Sequence, residues 1–412
     1  MRVERVVIAG AGLAGLRTAE ELRAGGYTGA ITMLGAEHRP PYDRPPLTKK
    51  FMTGELDDTT LRPGATALDA DLRLGEAAAG VGAGVLRTGQ GEYGFDALVV
   101  TTGAAPVRLA GRGPQRVLRT LDDAAALRSA LRPGTKLAVV GAGWIGAELA
   151  TTAALRGCQV TVVEAAPAPL AGALGTEAGS RTIPWYAAAG VELRLGQPVE
   201  SVEPGGLALP GGGWLAADEV VTAVGVRPEV SWLAGSGVRL ENGVAVDEGL
   251  RSSVPGVYAA GDCAAFISRR YQRRLRVEHW DSALHAPGVV AANILGGADE
   301  YDPVPYFWSE QFGRMVQYAG HHTAADRLVW RGDPAGRDWS VCWLAGAGRP
   351  GGAAAGQPHD AGGQPRLAAV FAVKRPRDLL QGRRLIAAGD PVDPARLADP
   401  AVPVRDAVVS AG

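Results

Sequence analysis

A chain of 412 residues, 46% hydrophobic and 21% charged, is long enough for two or three domains with substantial buried cores. Its formal net charge of −1 sets up no overall field toward nucleic acid or a membrane surface, and no apolar run approaches the roughly 20 residues a membrane span needs. The three cysteines, Cys158, Cys263 and Cys342, show neither CxxC nor metal spacing. That argues against a disulfide framework and, with no charged-then-apolar leader, suggests a soluble cytoplasmic protein without a metal site.

Arg5-Val-Val-Ile-Ala9 predicts a short buried strand, and Gly10, Gly12 and Gly15 follow at once in GxGxxG spacing, with Leu13 and Ala14 between them. Leu16 to Leu22 carries apolar residues at helical spacing, and a second strand, Ile31 to Leu34, ends close to Glu37. This is the β-α-β order of a dinucleotide site. Gly10 permits the tight turn, Gly12 lets the backbone approach a pyrophosphate, and Gly15 lets helix pack on strand. The helix N-terminus would offer N–H groups to the phosphates, and Glu37 or a neighbour could accept the hydrogen bonds of a ribose diol. In a chain with 58 glycines, one such loop is a weak signal.

The next segment, His38-Arg-Pro-Pro-Tyr-Asp-Arg-Pro-Pro-Leu-Thr-Lys49, resembles the one after the second strand in FAD-dependent, NAD(P)H-oxidising ferredoxin and rubredoxin reductases. The apoptosis-inducing-factor branch of the same two-dinucleotide flavoproteins is a more distant resemblance. The resemblance assigns Arg44 and Lys49 to the FAD site, Lys49 near flavin N5. By composition alone Lys49 would be an exposed cation. Disulfide reductases of this fold need a CxxxxC pair in the matching region, and Pro40 to Gly54 holds no cysteine.

Short alternating pieces after Thr53 read as hairpin strands closing the first domain. Phe95 to Thr102 is a buried strand stopped by Gly103. The resemblance places Thr102 and Gly103 on the FAD side. Leu121 to Leu131 predicts a helix ended by Pro133-Gly134, and then the opening pattern recurs. Leu137 to Val140 leads into Gly141, Gly143 and Gly146, with Trp144 and Ile145 inside the loop. A helix through Leu155 and a strand, Gln159 to Val163, end at Glu164. Two complete units suggest two dinucleotides, one bound as prosthetic group and one arriving as co-substrate; FAD and a nicotinamide are the obvious pair. Glu164 can bond a ribose 2′-OH and would repel a 2′-phosphate, which favours NADH over NADPH. Glu148 looks like a helix-surface acid by composition, whereas the resemblance places it near the nicotinamide.

Arg181 to Gly190 predicts a helix, Val191 to Leu195 a strand, and Gly211 to Trp214 a hairpin turn. Glu219 to Pro228, including Gly225, closes the second domain and resembles the family's return to the FAD domain. Val254 to Asp262 ends in Gly261-Asp262, followed by helix-compatible Cys263-Ala-Ala. The resemblance gives Asp262 a hydrogen bond to the flavin's ribityl or phosphate side; the alternative is a helix N-cap.

Ser268 to Arg276 places five arginines, Arg269, Arg270, Arg273, Arg274 and Arg276, in eight residues. Alone this reads as a solvated hairpin. Glu278, His279 and Trp280 follow and resemble the flavin-facing segment, so the basic patch would also suit docking of an acidic [2Fe–2S] ferredoxin. Ala286-Pro287 stands where the family usually has Gln-Gly, expected at a helix start where proline is tolerated. Tyr306 to Gln311, Met315 to Gly320 and Asp326 to Arg331 predict strands of a last domain, with Trp308 matching a tryptophan near the flavin. His321-His322 reads as strand-end surface, Ala345 to Arg366 as a mobile loop or insertion, and Leu367 to Val373 and Asp378 to Ile386 as strand and helix. The tail after Asp390 carries little signal.

The fold expected is α/β: two Rossmann-like dinucleotide-binding domains, for FAD (1–108 and 240–305) and NAD (109–239), plus a C-terminal α+β domain (306–412). The resemblance implies hydride transfer from NADH to FAD, then single electrons to a ferredoxin serving an oxygenase, by a monomer or homodimer. Two other readings stay open: electrons passed to oxygen, a quinone or a small organic substrate, or an NADH-sensing scaffold.

Overall fold

Arg5–Ala9 carries four consecutive buried residues, as a strand covered on both faces must. In the computed structural model, which describes residues 3–62, 68–346 and 364–409, it pairs in parallel with Ala30–Gly35 on one side and Ala97–Val100 on the other. Asp71–Leu74 and Val257–Ala259 extend this parallel sheet at its two edges. The helix Leu13–Ala24 connects its first two strands and packs against the helix Trp280–Ile294. A small antiparallel meander, Ala78–Gly82, Val85–Thr88 and Glu92–Gly94, matches the expected hairpin pieces.

The layout repeats. Lys136–Val140 pairs in parallel with Gln159–Val163 and Glu219–Thr222, and Glu192–Arg194 joins beyond Gln159–Val163. The connecting helix is Trp144–Leu155. An antiparallel sheet follows late in the chain, in the order Tyr306–Gln311, Arg314–Gly320, Arg366–Val373, Trp339–Ala345, Arg327–Arg331. Trp339, Trp343 and Phe371 fill its core, and the helix Pro376–Ala388 covers one face.

The chain forms two compact units, each made from two stretches: Met1–Val107 with Gly225–Pro303, and Arg108–Val224 with Val304–Gly412. Residues 225–239, expected in the second nucleotide domain, cluster with the first unit. Val226–Pro228 pairs there with Ala104–Pro106, and Leu233 lies in that unit's core.

Several local expectations need correction. Cys263-Ala-Ala does not open a helix: a single 3-10 turn, Gly261–Cys263, leads into the strand Ala264–Ser268. That strand pairs with Val244–Ala245 and Arg273–Arg276, and its almost wholly buried side chains explain the choice. Asp262 sits inside the turn and is not its N-cap. Pro287 lies within the helix Trp280–Ile294, not at its start, so the helix continues past a residue that cannot donate its i−4 hydrogen bond. The helix expected over Arg181 to Gly190 is shorter, Ile183–Ala188, and another, Ala171–Ser180, precedes it. His322 is not mere surface: its ring stacks on Trp343 at 4.2 Å and 17°, and Tyr318 Oη lies 2.7 Å from its Nδ1. The tail after Asp390 is ordered into the helix Pro394–Ala398 and the turn Val404–Ala407. The proposed mobile loop falls largely on 347–363, outside the described residues.

Candidate functional site

The two glycine loops use their glycines alike. A Cβ on Gly10, where φ is +122°, would lie 2.2 Å from the Thr101 carbonyl oxygen, and one on Gly15 would lie 1.9 Å from that of Gly10. In the second loop, Gly141, at φ +103°, would meet the Ala223 carbonyl oxygen at 2.5 Å, and Gly146 that of Gly141 at 2.0 Å. These four positions are closed by the chain itself. Gly12 and Gly143 differ: a Cβ on either meets nothing within 4 Å. Each is also the N-cap of its helix and brings no side chain to the first turn. Open space thus lies before two helix N-termini, where backbone N–H groups and the helix dipole favour an anion. This geometry fits the pyrophosphate of a dinucleotide at both loops.

Within the first unit, distant segments converge near the first loop. A Cβ on Gly261 would come within 3.1 Å of Ala14 Cβ, so the Gly261–Asp262 turn sits against the start of the helix. Trp280 Nε1 donates to Asp43 Oδ1 at 2.7 Å, tying the segment 277–280 to the proline-rich segment 38–49. Glu37 accepts from Tyr42 Oη (2.6 Å) and Arg44 Nη2 (2.7 Å), one on each oxygen. A carboxylate has about four acceptor sites, so a ribose diol remains compatible. Lys49 is half-buried rather than exposed, with Nζ 3.2 Å from the Pro45 carbonyl oxygen. Thr102 Oγ1 donates to the Glu229 carbonyl oxygen (2.6 Å), and Gly103 O accepts from Glu229 N (2.9 Å). Gly225 O accepts from Val107 N at 3.0 Å. Burial pushes His279 down to about 4 against the opposing charge of Asp262, so its imidazole is neutral at pH 7.

The arginine hairpin is real, with strands Ala264–Ser268 and Arg273–Arg276. Much of its charge is answered within the chain. Arg269 pairs with Glu300 (2.7 Å) and Glu248, Arg274 with Glu241 (2.9 Å), and Arg276 with Glu278 (2.5 Å). Arg270 is half-buried; its backbone N donates to Asp302 Oδ2 at 3.0 Å. Arg273 is exposed.

In the second unit, Glu164 braces its own glycine loop: Oε2 accepts from Ala142 N (2.7 Å) and Oε1 from Ala166 N (2.8 Å). Trp144 meets Phe307 edge-on at 4.4 Å, while Ile145 is 43% exposed. Glu148 is not a surface acid but 4% exposed. Its Oε1 accepts from Ser309 Oγ at 2.6 Å and from Glu310 N at 3.2 Å. Thr151, one turn further, accepts at Oγ1 from Phe312 N (2.9 Å). The two side chains therefore take up the N–H groups of Glu310, in the strand Tyr306–Gln311 that carries Trp308, and of Phe312, just beyond its end. Sequence reasoning missed Ser309, Gln311 and Thr151; the only available signal was the alternation in the strand.

The cysteines carry no redox pair. All three are free thiols, and burial pushes Cys263 up to about 11 and Cys342 up to about 12. Among the described residues no cluster of His, Cys, Asp and Glu suits a metal ion, and no helix is long and apolar enough to cross a membrane.

Comparison with known proteins agrees with this geometry. Residues 4–286 match the family described as Pyridine nucleotide-disulphide oxidoreductase, and 306–362 and 361–408 match Reductase C-terminal. The ferredoxin--NAD(+) reductase component of the anthranilate 1,2-dioxygenase system of Burkholderia cepacia is 35% identical, across 98% of this chain and 99% of that protein. The crystal structure of Fdr9 superposes with TM-score 0.90 at 46% identity, covering 97% of this chain and 99% of that one. The reductase of a covalent putidaredoxin reductase–putidaredoxin complex does so with TM-score 0.90 at 29% identity over 98% of each chain. The chain belongs to the pyridine nucleotide-disulphide oxidoreductase family, in its branch of FAD-dependent NAD(P)H ferredoxin reductases.

Proposed function

We propose that this protein is an NADH–ferredoxin reductase whose acceptor is an acidic [2Fe–2S] ferredoxin serving an oxygenase. The observation that carries the nucleotide reading is the pair of glycine loops, each opening on free space before an uncapped helix. The acceptor is supported by relatives named as reductase components of oxygenase systems and by the putidaredoxin complex. When bound, the flavin takes two electrons from NADH and releases them singly.

The roles fall to the following residues. In the first unit Gly10, Gly12, Leu13, Ala14 and Gly15 cradle the FAD pyrophosphate, and Glu37, Arg44, Thr102, Gly103, Gly261 and Asp262 line its length. Lys49, Glu278, His279 and Trp280 surround the ring; Asp43 holds the Trp280 indole. In the second unit Gly141, Gly143, Trp144, Ile145 and Gly146 receive the NADH pyrophosphate, and Glu164 the adenosine ribose. Ala165 and Ala166, where a 2′-phosphate would want arginine, support NADH over NADPH. Glu148 meets the nicotinamide, and Trp308 takes the part of the family's flavin-side tryptophan. Residues 109–224 act as the NAD domain and 306–412 as the C-terminal domain. The hairpin steers the ferredoxin through its exposed members, Arg269 and Arg273. The protein works in the cytoplasm, as a monomer or homodimer.

Anaerobic stopped-flow absorbance tests this reading. The purified yellow protein should bleach rapidly with NADH, slowly with NADPH, and regain its colour as an added ferredoxin is reduced. Protein purified without flavin would sink it. Bleaching without transfer to any of several ferredoxins would shift the acceptor to oxygen, a quinone or a small organic molecule.

A further inference from the structure

Glu148, Ser309 and Gln311 form a buried relay of which the proposed chemistry has used only Glu148. Their exposures are 4%, 1% and 1%. Gln311 Nε2 donates to Ser309 Oγ at 3.0 Å, and Ser309 Oγ lies 2.6 Å from Glu148 Oε1. A serine hydroxyl has one hydrogen. With the amide N–H filling one of its lone pairs, that hydrogen is directed at the carboxylate. Glu310 N reaches the same oxygen at 3.2 Å, so two donors from one strand fix the carboxylate's orientation. The hydrogen bond from Ser309 is short, as expected for an O–H donor facing an anionic acceptor. Strand alternation explains the arrangement: Ser309 and Gln311, two residues apart, project to the same face and touch each other.

We propose that Ser309 is a positioning residue for the nicotinamide, holding Glu148 in the orientation from which it meets the ring. The proposal rests on the reading that Glu148 contacts the nicotinamide. Gln311 acts one step further back by orienting the hydroxyl. The strand Tyr306–Gln311 therefore serves the helix Trp144–Leu155 as well as carrying Trp308.

The test uses holoenzyme and single-turnover flavin reduction over a range of NADH concentrations, which separates the apparent dissociation constant from the limiting rate. S309A removes the donor while leaving a small side chain, and should weaken NADH binding or slow reduction about tenfold, the usual effect of losing a hydrogen bond to a charged group. Flavin content and thermal midpoint should stay near the parent's, and S309T should recover most of the loss. In an E148Q background, S309A should cost far less, because its effect runs through the carboxylate.

An impaired E148Q beside a parent-like S309A would overturn the proposal and leave the role of Glu148 standing. Undiminished loss from S309A in the E148Q background would also overturn it, as a structural effect independent of Glu148. An E148Q enzyme indistinguishable from the parent would overturn the reading of Glu148 and the proposal with it. Should S309A not yield holoenzyme, Q311M decides the matter: a twofold or larger loss in either constant supports the relay, and no change overturns it.

Discussion

At the scale of single residues, the glycines separate packing from binding. Gly12 and Gly143 have φ of −89° and −77°, values any residue adopts, and open space where a side chain would project. G12A should therefore fold normally yet lose flavin affinity by at least roughly tenfold, since a methyl group keeps the phosphates from the helix N-terminus. Flavin fluorescence on dilution would measure this. G143A should keep its flavin and raise the KM for NADH instead. G10A and G15A should fail earlier, at the yield of folded protein, because their new atoms strike backbone. For Glu164, E164Q removes the charge that repels a 2′-phosphate, so the ratio of kcat/KM for NADH over NADPH should fall about tenfold. The glycine loops were legible because their spacing lies within a few consecutive residues, although the carbonyls that close Gly10 and Gly141 come from Thr101 and Ala223, far along the chain. Glu148 was not: its burial comes from a strand that arrives more than 150 residues later in the chain, at Ser309.

At the scale of elements, strands and helices with strong local periodicity were readable, and the misses share one cause. The strand Ala264–Ser268 was mistaken because small residues fit helix and strand alike, and its partners are supplied from elsewhere. The ordered tail was invisible because what orders it is a buried arginine far upstream. Arg331, 1% exposed, donates to the carbonyls of Leu397, Asp399 and Val402 and pairs with Asp378, which also accepts from Ser340 Oγ at 2.7 Å. D378A would leave that guanidinium buried and short of a counter-charge, and should cost roughly 3–5 kcal/mol in denaturant unfolding.

Proton linkage acts on the same sheet. Burial pushes His322 from the ordinary 6.5 down to about 4. As the pH falls below about 6.5 the unfolded chain takes up the proton first, so stability is full above that value and is lost toward pH 4. His279 acts with the same sign over the same window. Thermal midpoints should therefore fall across this window, and H322N should lose less than the parent.

At the scale of the whole molecule, the two-dinucleotide organisation and the family were legible because separate signals agreed along most of the chain. The hairpin proposed for docking was only half legible: the sequence shows five arginines but not the glutamates that answer Arg269, Arg274 and Arg276. Charge reversal of the exposed pair, R269E with R273E, should slow ferredoxin reduction about tenfold at low ionic strength. It should flatten the salt dependence and leave reduction of the flavin by NADH unchanged. The interleaving of the two units also bears on how the protein is made. Val257–Ala259, the edge partner of Ala97–Val100, belongs to a unit whose other stretch ends at Val107. A ribosome must therefore release the whole of Arg108–Val224 before the first sheet can complete its edge, and the second unit must wait for everything after Val304. Nascent chains should carry an open, apolar sheet edge for much of translation, making expression yield sensitive to chaperone supply and growth temperature more than to the stability of the finished enzyme.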